Sequence, residues 1–308
     1  GTVSKFKIDD LFLRNGPVTY ISGNLAMKGL PDIDNTWIDF GNGFIQTNSK
    51  EIAFIYPDIA KITNPDLLAL GNIRYKGNFS GTINNFNIDG TLSSVLGGLT
   101  TKLNLQLPAN GLPAYDGEVT TTQFDLGKFM DVPSIGKVSF NGKINGKGFE
   151  LNNAFSSLDG VFNLLEFNGY TYNNLHFTGS IQKQKFNGDF KANDPNFDFT
   201  SFIEIDLSGD QPKFNILGDL QKANFKELNF TKDKVSLTGL FDLNFTGRNI
   251  DDFLGTAKIL NATLLHDSTK LDFDSLSVTS YYNDTLKKVL TINSNQFNFM
   301  VAGKYRIL

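Results

Sequence analysis

Val235-Ser-Leu-Thr-Gly-Leu-Phe-Asp-Leu-Asn-Phe-Thr-Gly247 separates into two chemically distinct sets when alternate residues are taken. Val235, Leu237, Gly239, Phe241, Leu243, Phe245 and Gly247 form one set, and Ser236, Thr238, Leu240, Asp242, Asn244 and Thr246 the other. Successive side chains of a β-strand point to opposite faces, so the stretch predicts a strand with one apolar, glycine-bearing face and one polar face. The same period recurs through most of the chain and decides the fold class.

Working back from it, Phe214, Ile216, Gly218 and Leu220 share a phase, as do Ile203, Ile205 and Leu207. Phe186, Gly188, Phe190 and Ala192 repeat the pattern, preceded by Leu175, Phe177, Gly179 and Ile181. In the first half it appears in Val138, Phe140, Gly142, Ile144 and Gly146, in Leu103, Leu105 and Leu107, in Phe86, Ile88, Gly90 and Leu92, and in Ile73, Tyr75, Gly77, Phe79 and Gly81. Working forward, Phe297, Phe299, Val301, Gly303, Tyr305 and Ile307 predict a clean last strand, whereas Leu271 to Tyr282 alternates poorly. Asn84-Asn85 reads as a turn and Pro108 to Pro113 as a loop. Phe124 to Met130 reads as a short apolar turn or helix, and Asn249 to Leu254 as a helical turn.

Residues 1–72 are less regular. Ile21, Gly23, Leu25 and Met27 alternate, Gly41-Asn42-Gly43 reads as a turn, and Glu51 to Tyr56 predicts a short strand ended by Pro57. The best helix signal follows: Asn64 as cap, Pro65 at the first helical position, three leucines, and Gly71 at the C-terminal cap, about two turns in all. Strands of this length imply on the order of 20 of them, and short turns imply antiparallel neighbours. The expected fold is all-β: a long twisted antiparallel sheet curled into an open groove with an apolar interior and few short helices. Residues 1–72 would start the groove and 73–308 would continue it. The glycines fall on the apolar phase, where they relieve crowding on a curling sheet or leave room for a bound apolar ligand.

Composition narrows the function classes. Charged residues make up 19% of the 308, the net charge is −4, and there is no basic cluster, which argues against nucleic acid as a partner. Phe accounts for 29 residues, against nine Tyr and one Trp. No apolar run approaches the ~18 residues of a spanning helix. The chain has no Cys and two His. His176 lies on a polar phase and His266 beside Asp267, both consistent with surface positions. No Gly-x-Ser-x-Gly elbow, His-Glu-x-x-His motif or phosphate loop occurs. Asp32-Ile-Asp34-Asn35 is a weak match to a Ca²⁺ loop, for which turn-favouring Asp and Asn are the ordinary explanation. Asp251-Asp252 fits a helix start. No catalytic constellation, metal site or cofactor is expected.

The order of Phe124-Asp-Leu-Gly-Lys-Phe-Met130, Gly136-Lys-Val-Ser-Phe-Asn-Gly142, Glu166-Phe-Asn-Gly-Tyr-Thr-Tyr172, Leu228-Asn-Phe-Thr-Lys-Asp-Lys234, Asp242-Leu-Asn-Phe-Thr-Gly247, Asn249-Ile-Asp-Asp-Phe-Leu-Gly-Thr-Ala257 and Asn261-Ala-Thr-Leu-Leu-His-Asp267 resembles the TamB group of the AsmA-like superfamily in its Bacteroidota form. The resemblance covers residues 70–308 well and 1–70 more loosely. It implies a periplasmic bridge whose open, taco-like sheet shields phospholipid acyl chains on their way to the outer membrane. It also implies an N-terminal inner-membrane anchor and a C-terminal segment that meets an outer-membrane β-barrel partner. Neither flank is recognised between Gly1 and Leu308, so the chain is expected to be an internal piece of a longer protein.

On that reading the lipid-facing residues are Phe177, Phe186, Phe190, Ile203, Ile205, Phe214, Ile216, Leu237, Phe241, Leu243, Phe245, Phe297, Phe299 and Val301. They would replace water around acyl chains at roughly 0.8 kcal/mol per buried methylene. A structural or adhesive surface β-protein, and a scaffold for outer-membrane protein assembly that conducts no lipid, are the alternatives. A carbohydrate-active scaffold would need convergent carboxylates flanked by Trp, which the chain lacks. Asp267-Ser-Thr269, Asp274-Ser-Leu276 and Asp284-Thr-Leu286 resemble the Asp-Ser/Thr-x acceptor of periplasmic O-glycosylation in Bacteroidota and mark Ser268, Ser275 and Thr285; chance and turn-favouring Asp and Ser are the alternative.

Overall fold

Alternation dominates the structure as it does the sequence. In the computed structural model, which describes residues 4–55, 57, 65–249 and 251–303, twenty strands form one open antiparallel sheet not closed into a barrel. The chain divides into two compact units, Gly1–Phe149 with Leu158–Phe167, and Glu150–Ser157 with Asn168–Leu308. Position 72 lies inside the first unit.

The first unit contains β1 (Lys5–Asn15), β2 (Thr19–Lys28), β3 (Trp37–Asn48), α1 (Ser49–Ile55), β4 (Asn72–Thr82), β5 (Asn85–Ser94) and β6 (Gly97–Gln106). It continues with β7 (Ala114–Thr122), β8 (Phe124–Asp125), α2 (Leu126–Met130), β9 (Ile135–Lys147) and most of β10 (Phe155–Phe167). Register carries one apolar row across it: Leu25, Phe40, Phe79, Ile88, Leu103, Gly117 and Ile144. The irregularity expected of residues 1–72 has a definite cause. Gly41-Asn42-Gly43 is not a turn but a β-bulge within β3, where the register steps between Phe40 and Gly43. Asn42 takes φ 51° and its N–H donates to Asn78 Oδ1 at 2.9 Å. The extra residue returns Ile45 to the face of Phe40 although the two differ in parity. A second bulge between Ile8 and Leu11, with Asp10 at φ 54°, does the same in β1.

Two local expectations are corrected. Glu51 to Ile55 belongs to helix α1, not to a strand, because Asn48 Oδ1 accepts the Glu51 N–H at 2.8 Å and caps the first turn; Tyr56 lies outside the described residues. The helix expected from Asn64 to Gly71 shrinks to a 3-10 turn, Leu68–Leu70. Asp66 Oδ1 caps it by accepting the N–H groups of Leu68 and Ala69, and Gly71, at φ 58°, ends it as expected. Asn64 lies outside the described residues.

The second unit contains β11 (Tyr170–Tyr172), β12 (Leu175–Gln182), β13 (Lys185–Asp194), β14 (Phe197–Asp206), β15 (Lys213–Asn224) and β16 (Val235–Thr246). It ends with β17 (Leu254–His266), β18 (Thr269–Tyr282), β19 (Lys288–Ser294) and β20 (Asn298–Ala302). The segment before β17 is a turn rather than a helical one: Asp252 Oδ1 accepts the N–H groups of Arg248 and Asn249, both at 2.8 Å; Ile250 is outside the described residues. The poorly alternating stretch is β18, a 14-residue strand. Its apolar phase changes from Leu271 and Phe273 to Leu276 and Val278, opposite Asn261 of β17, which sits at φ 49°. The last strand ends at Ala302; residues 304–308, with Tyr305 and Ile307, are not described. No helix among the described residues is long and apolar enough to cross a membrane.

Several glycines of the apolar phase are covered by rings, although Gly303 faces open space. The Tyr75 ring lies over the paired Gly77 and Gly90, the Phe140 ring over Gly142 and Gly160, and the Phe199 ring over Gly218. Aromatic side chains thus cover the backbone that the glycines expose. Gly188 is held by backbone alone: a Cβ there would stand 2.5 Å from the Thr178 carbonyl oxygen and 2.6 Å from Gly179 Cα. Gly188→Ala is therefore expected to cost about 2 kcal/mol, since two strands must separate to admit one methyl, and a lowered urea midpoint would register it.

Candidate functional site: an apolar face without a covering layer

Paired residues of antiparallel strands project to the same side, so register shows which side chains share a face. In the second unit one row runs Ile181, Phe186, Ile205, Phe214, Phe245. The next runs Gly179, Gly188, Ile203, Ile216, Leu243, Ala257, Val278, Ile292, Phe299. A third runs Phe177, Phe190, Ser201, Gly218, Phe241, Ile259, Leu276. A fourth contains Leu175, Ala192, Phe199, Leu220 and Gly239, and a fifth Phe197, Ala223, Leu237, Leu264 and Leu271. Val301 joins the same face opposite Leu290.

Every predicted lipid-facing residue but one is thereby placed in a registered row. Phe297 precedes β20, where its N–H donates to Ser294 Oγ and its carbonyl accepts the Ser294 N–H, both at 2.9 Å. Ile181, Phe199, Ala257, Ile259, Leu276, Val278 and Ile292 belong to the same face but are absent from the predicted set. The β17–β19 members were hidden by the phase change at Asn261 and by the Ser and Thr residues between them.

Burial separates the first three rows from an ordinary core, whereas Leu175, Ala192 and Leu220 of the fourth row are buried. Phe186, Phe190, Ile203, Ile205, Phe214, Ile216, Phe241, Leu243 and Phe245 are only half-buried. Their contacts are lateral: Phe214 stacks on Phe245 at 4.9 Å, and Phe199 meets Phe241 edge-on at 6.2 Å. Within this unit each strand packs on its ladder neighbours, and no helix or second sheet lies across the rows among the described residues. Sheets with one apolar face ordinarily bury it under a second layer. At β20, which among the described residues pairs with β19 alone, Phe299 remains 45% exposed.

One margin of the face is built around a buried carboxylate. Asp194, 3% exposed, accepts Tyr170 Oη–H at 2.6 Å, the Asn173 N–H at 3.0 Å, Asn173 Nδ2 at 3.4 Å and the Asn196 N–H at 2.9 Å. Burial, and then the Asp194 carboxylate, push the Tyr170 hydroxyl above its ordinary pKa. Tyr170 packs edge-on against Tyr172 at 4.7 Å, and Tyr172 against Phe197 at 6.0 Å.

A concavity at the end of these strands is lined by Phe186, Ile205, Phe214 and Phe245 of the first row and by Lys185, Asn187, Glu204, Asp206, Lys213, Asn215 and Asn244 of the polar phase. Its groups pair locally: Asn215 Nδ2 donates to Glu204 at 2.7 Å and Lys185 meets Asp206 at 3.2 Å. The side-chain and backbone hydrogen bonds of Ser208, then Lys185, hold the Asp206 carboxyl at about 2. No nucleophile–base pair is formed there. Asp32 accepts from Asn35 N–H and Nδ2, an Asx turn. His266 lies 4.0 Å from Asp233 and from Asp267 at an exposed end. Ser268 is exposed in the β17–β18 turn and Thr285 in the β18–β19 turn, where its hydroxyl donates to Asn283 Oδ1 at 2.9 Å. Ser275 is half-buried within β18, opposite Leu260.

Comparison with protein-family models, curated proteins and solved structures gives no match for the chain.

Proposed function

We propose that this chain is a segment of a bridge-like lipid-transfer protein whose apolar face lies against phospholipid acyl chains between two membranes. The observation that carries the reading is the set of three registered apolar rows, from Phe186 to Phe241, whose large side chains are left half-buried, with no helix or second sheet of their own unit over them among the described residues. Acyl chains are suited to such a surface because apolar burial is non-directional: the rows need offer no specific partner, only a place away from water. The resemblance of residues 70–308 to the TamB group supports the same reading, with the chain in the periplasm between an inner-membrane anchor elsewhere in the protein and a separate outer-membrane β-barrel partner of the Omp85 type. The protein is read as a passive conduit and not an enzyme. The rings over Gly77, Gly142 and Gly218 favour a second reading, a purely structural sheet whose face another chain covers.

Native mass spectrometry of the protein purified from bacteria, with solvent extraction of the same sample, separates the two. Diacyl phospholipid is expected to co-purify and to reload from phospholipid vesicles after delipidation. Bare protein in both preparations would refute the conduit.

A further inference from the structure

A diagonal of residues with little or no side chain crosses five strands of the apolar face: Gly179, Gly188, Ser201, Gly218 and Gly239. Four are glycines. The fifth, Ser201, is 5% exposed, and its Oγ has no hydrogen-bond partner. It shares the apolar phase of β14 with Phe199 and Ile203, so the hydroxyl projects into the rows rather than to the polar face. Its registered neighbours are Phe190 on one side and Gly218 on the other. A Cβ on Gly218 would stand 3.1 Å from Ser201 Cβ and 2.5 Å from the Phe199 ring. Phe190 and Phe241 lie 6.4 and 6.2 Å from that ring. The hydroxyl therefore lies between Phe190 and Gly218, and the Phe199 ring that covers Gly218 is what keeps another group from it.

A buried hydroxyl left unpaired is destabilising, and apolar residues of similar size would avoid the cost. Ala serves at a buried position of the neighbouring row on the adjacent strand, Ala192. Ser201 lies in the third of five rows. Rows are two residues apart along each strand, so it is ~14 Å from either margin of the apolar band. The headgroup end of a lipid stays near a margin, where water is. The middle of its chain then reaches the middle row.

We infer that Ser201 is a binding residue for an oxygen substituent within an acyl chain, a mid-chain hydroxyl above all, reached when the Phe199 ring swings off Gly218. This rests on the lipid reading above and adds a chain preference to it. The rotation needs only side-chain motion, because Phe199 is half-buried and its ring packs against other phenyl side chains. The Ser201 hydroxyl then donates to, or accepts from, the substituent in a site free of water.

The test measures binding of stearate and of 12-hydroxystearate to delipidated wild-type protein and to Ser201→Ala, by displacement of a fluorescent fatty acid. The wild type is expected to favour 12-hydroxystearate about tenfold, the value of one hydrogen bond that satisfies a buried orphan. Ser201→Ala is expected to bind stearate as before, to lose the preference, and to melt no lower than wild type, since it removes an unpaired group. Equal affinities in the wild type, or a preference that survives in Ser201→Ala, would overturn this inference and leave the conduit standing. Binding of neither probe would overturn both.

Discussion

Leu243→Asp is expected to give a folded protein that no longer holds lipid. Leu243 lies in the second apolar row, between Ile216 of β15 and Ala257 of β17, and is half-buried. Losing a half-buried leucine costs roughly 1 kcal/mol of apolar burial. The new carboxylate points to a side that no element of its unit covers, so it stays hydrated while lipid is absent and carries no large desolvation penalty. An acyl chain laid over it would strip that water. Desolvating a carboxylate costs several kcal/mol, enough to reduce lipid occupancy by about 100-fold or more. Asp242→Asn, on the polar face beside it, is expected to change neither property. Circular-dichroism melting and native mass spectrometry of the two variants read both quantities. An unfolded Leu243→Asp would point to a sealed core. A folded one with normal lipid occupancy would take β16 out of the path.

Asp194→Ala is expected to be the most damaging single change to stability, on the order of 4 kcal/mol. The carboxylate collects four donors from three residues in a place that is 3% exposed. Removing it strands the Tyr170 hydroxyl and the N–H groups of Asn173 and Asn196 away from water. The damage spreads because Asn196 Nδ2 also donates to Tyr170 Oη at 3.2 Å and Asn196 Oδ1 accepts Asn224 Nδ2 at 2.9 Å, tying β11, the β13–β14 turn and β15 together. Asp194→Asn should fall between, since the amide oxygen keeps one acceptor while its NH₂ faces donors. Urea unfolding ranks the three proteins. A midpoint for Asp194→Ala within error of wild type would mean that the carboxylate holds nothing together.

The two positions differ in how far the sequence exposes them. Leu243 belongs to a run so regular that its face is evident from alternation alone. Asp194 sits at the end of a strand, next to Pro195, and reads as an ordinary turn residue. Most of its donors come from Tyr170 and Asn173, more than 20 residues earlier in the chain, and the one nearby partner, Asn196, does not mark it as buried. Ser201 was hidden for the same reason: the polar residue of an apolar phase looks like a lapse in the pattern until register sets it between Phe190 and Gly218.

By itself the sequence determined the strand period, the all-β class, the approximate strand number and the sharing of one face by residues such as Phe214, Ile216, Leu243 and Phe245. These follow from a two-residue period that each strand carries within itself. Tertiary structure decided whatever depends on which strand lies beside which. Bulges at Asn42 and Asn261 reconcile runs of opposite parity, because one extra residue turns every later side chain to the other face. Asn48 made a helix of Glu51 to Ile55 because a cap satisfies backbone donors that alternation cannot. Rings from neighbouring positions filled the space over glycines such as Gly77, Gly142 and Gly218, and the first three apolar rows were left half-buried while the fourth became core. Burial depends on what lies opposite a residue, and no spacing along the chain specifies that.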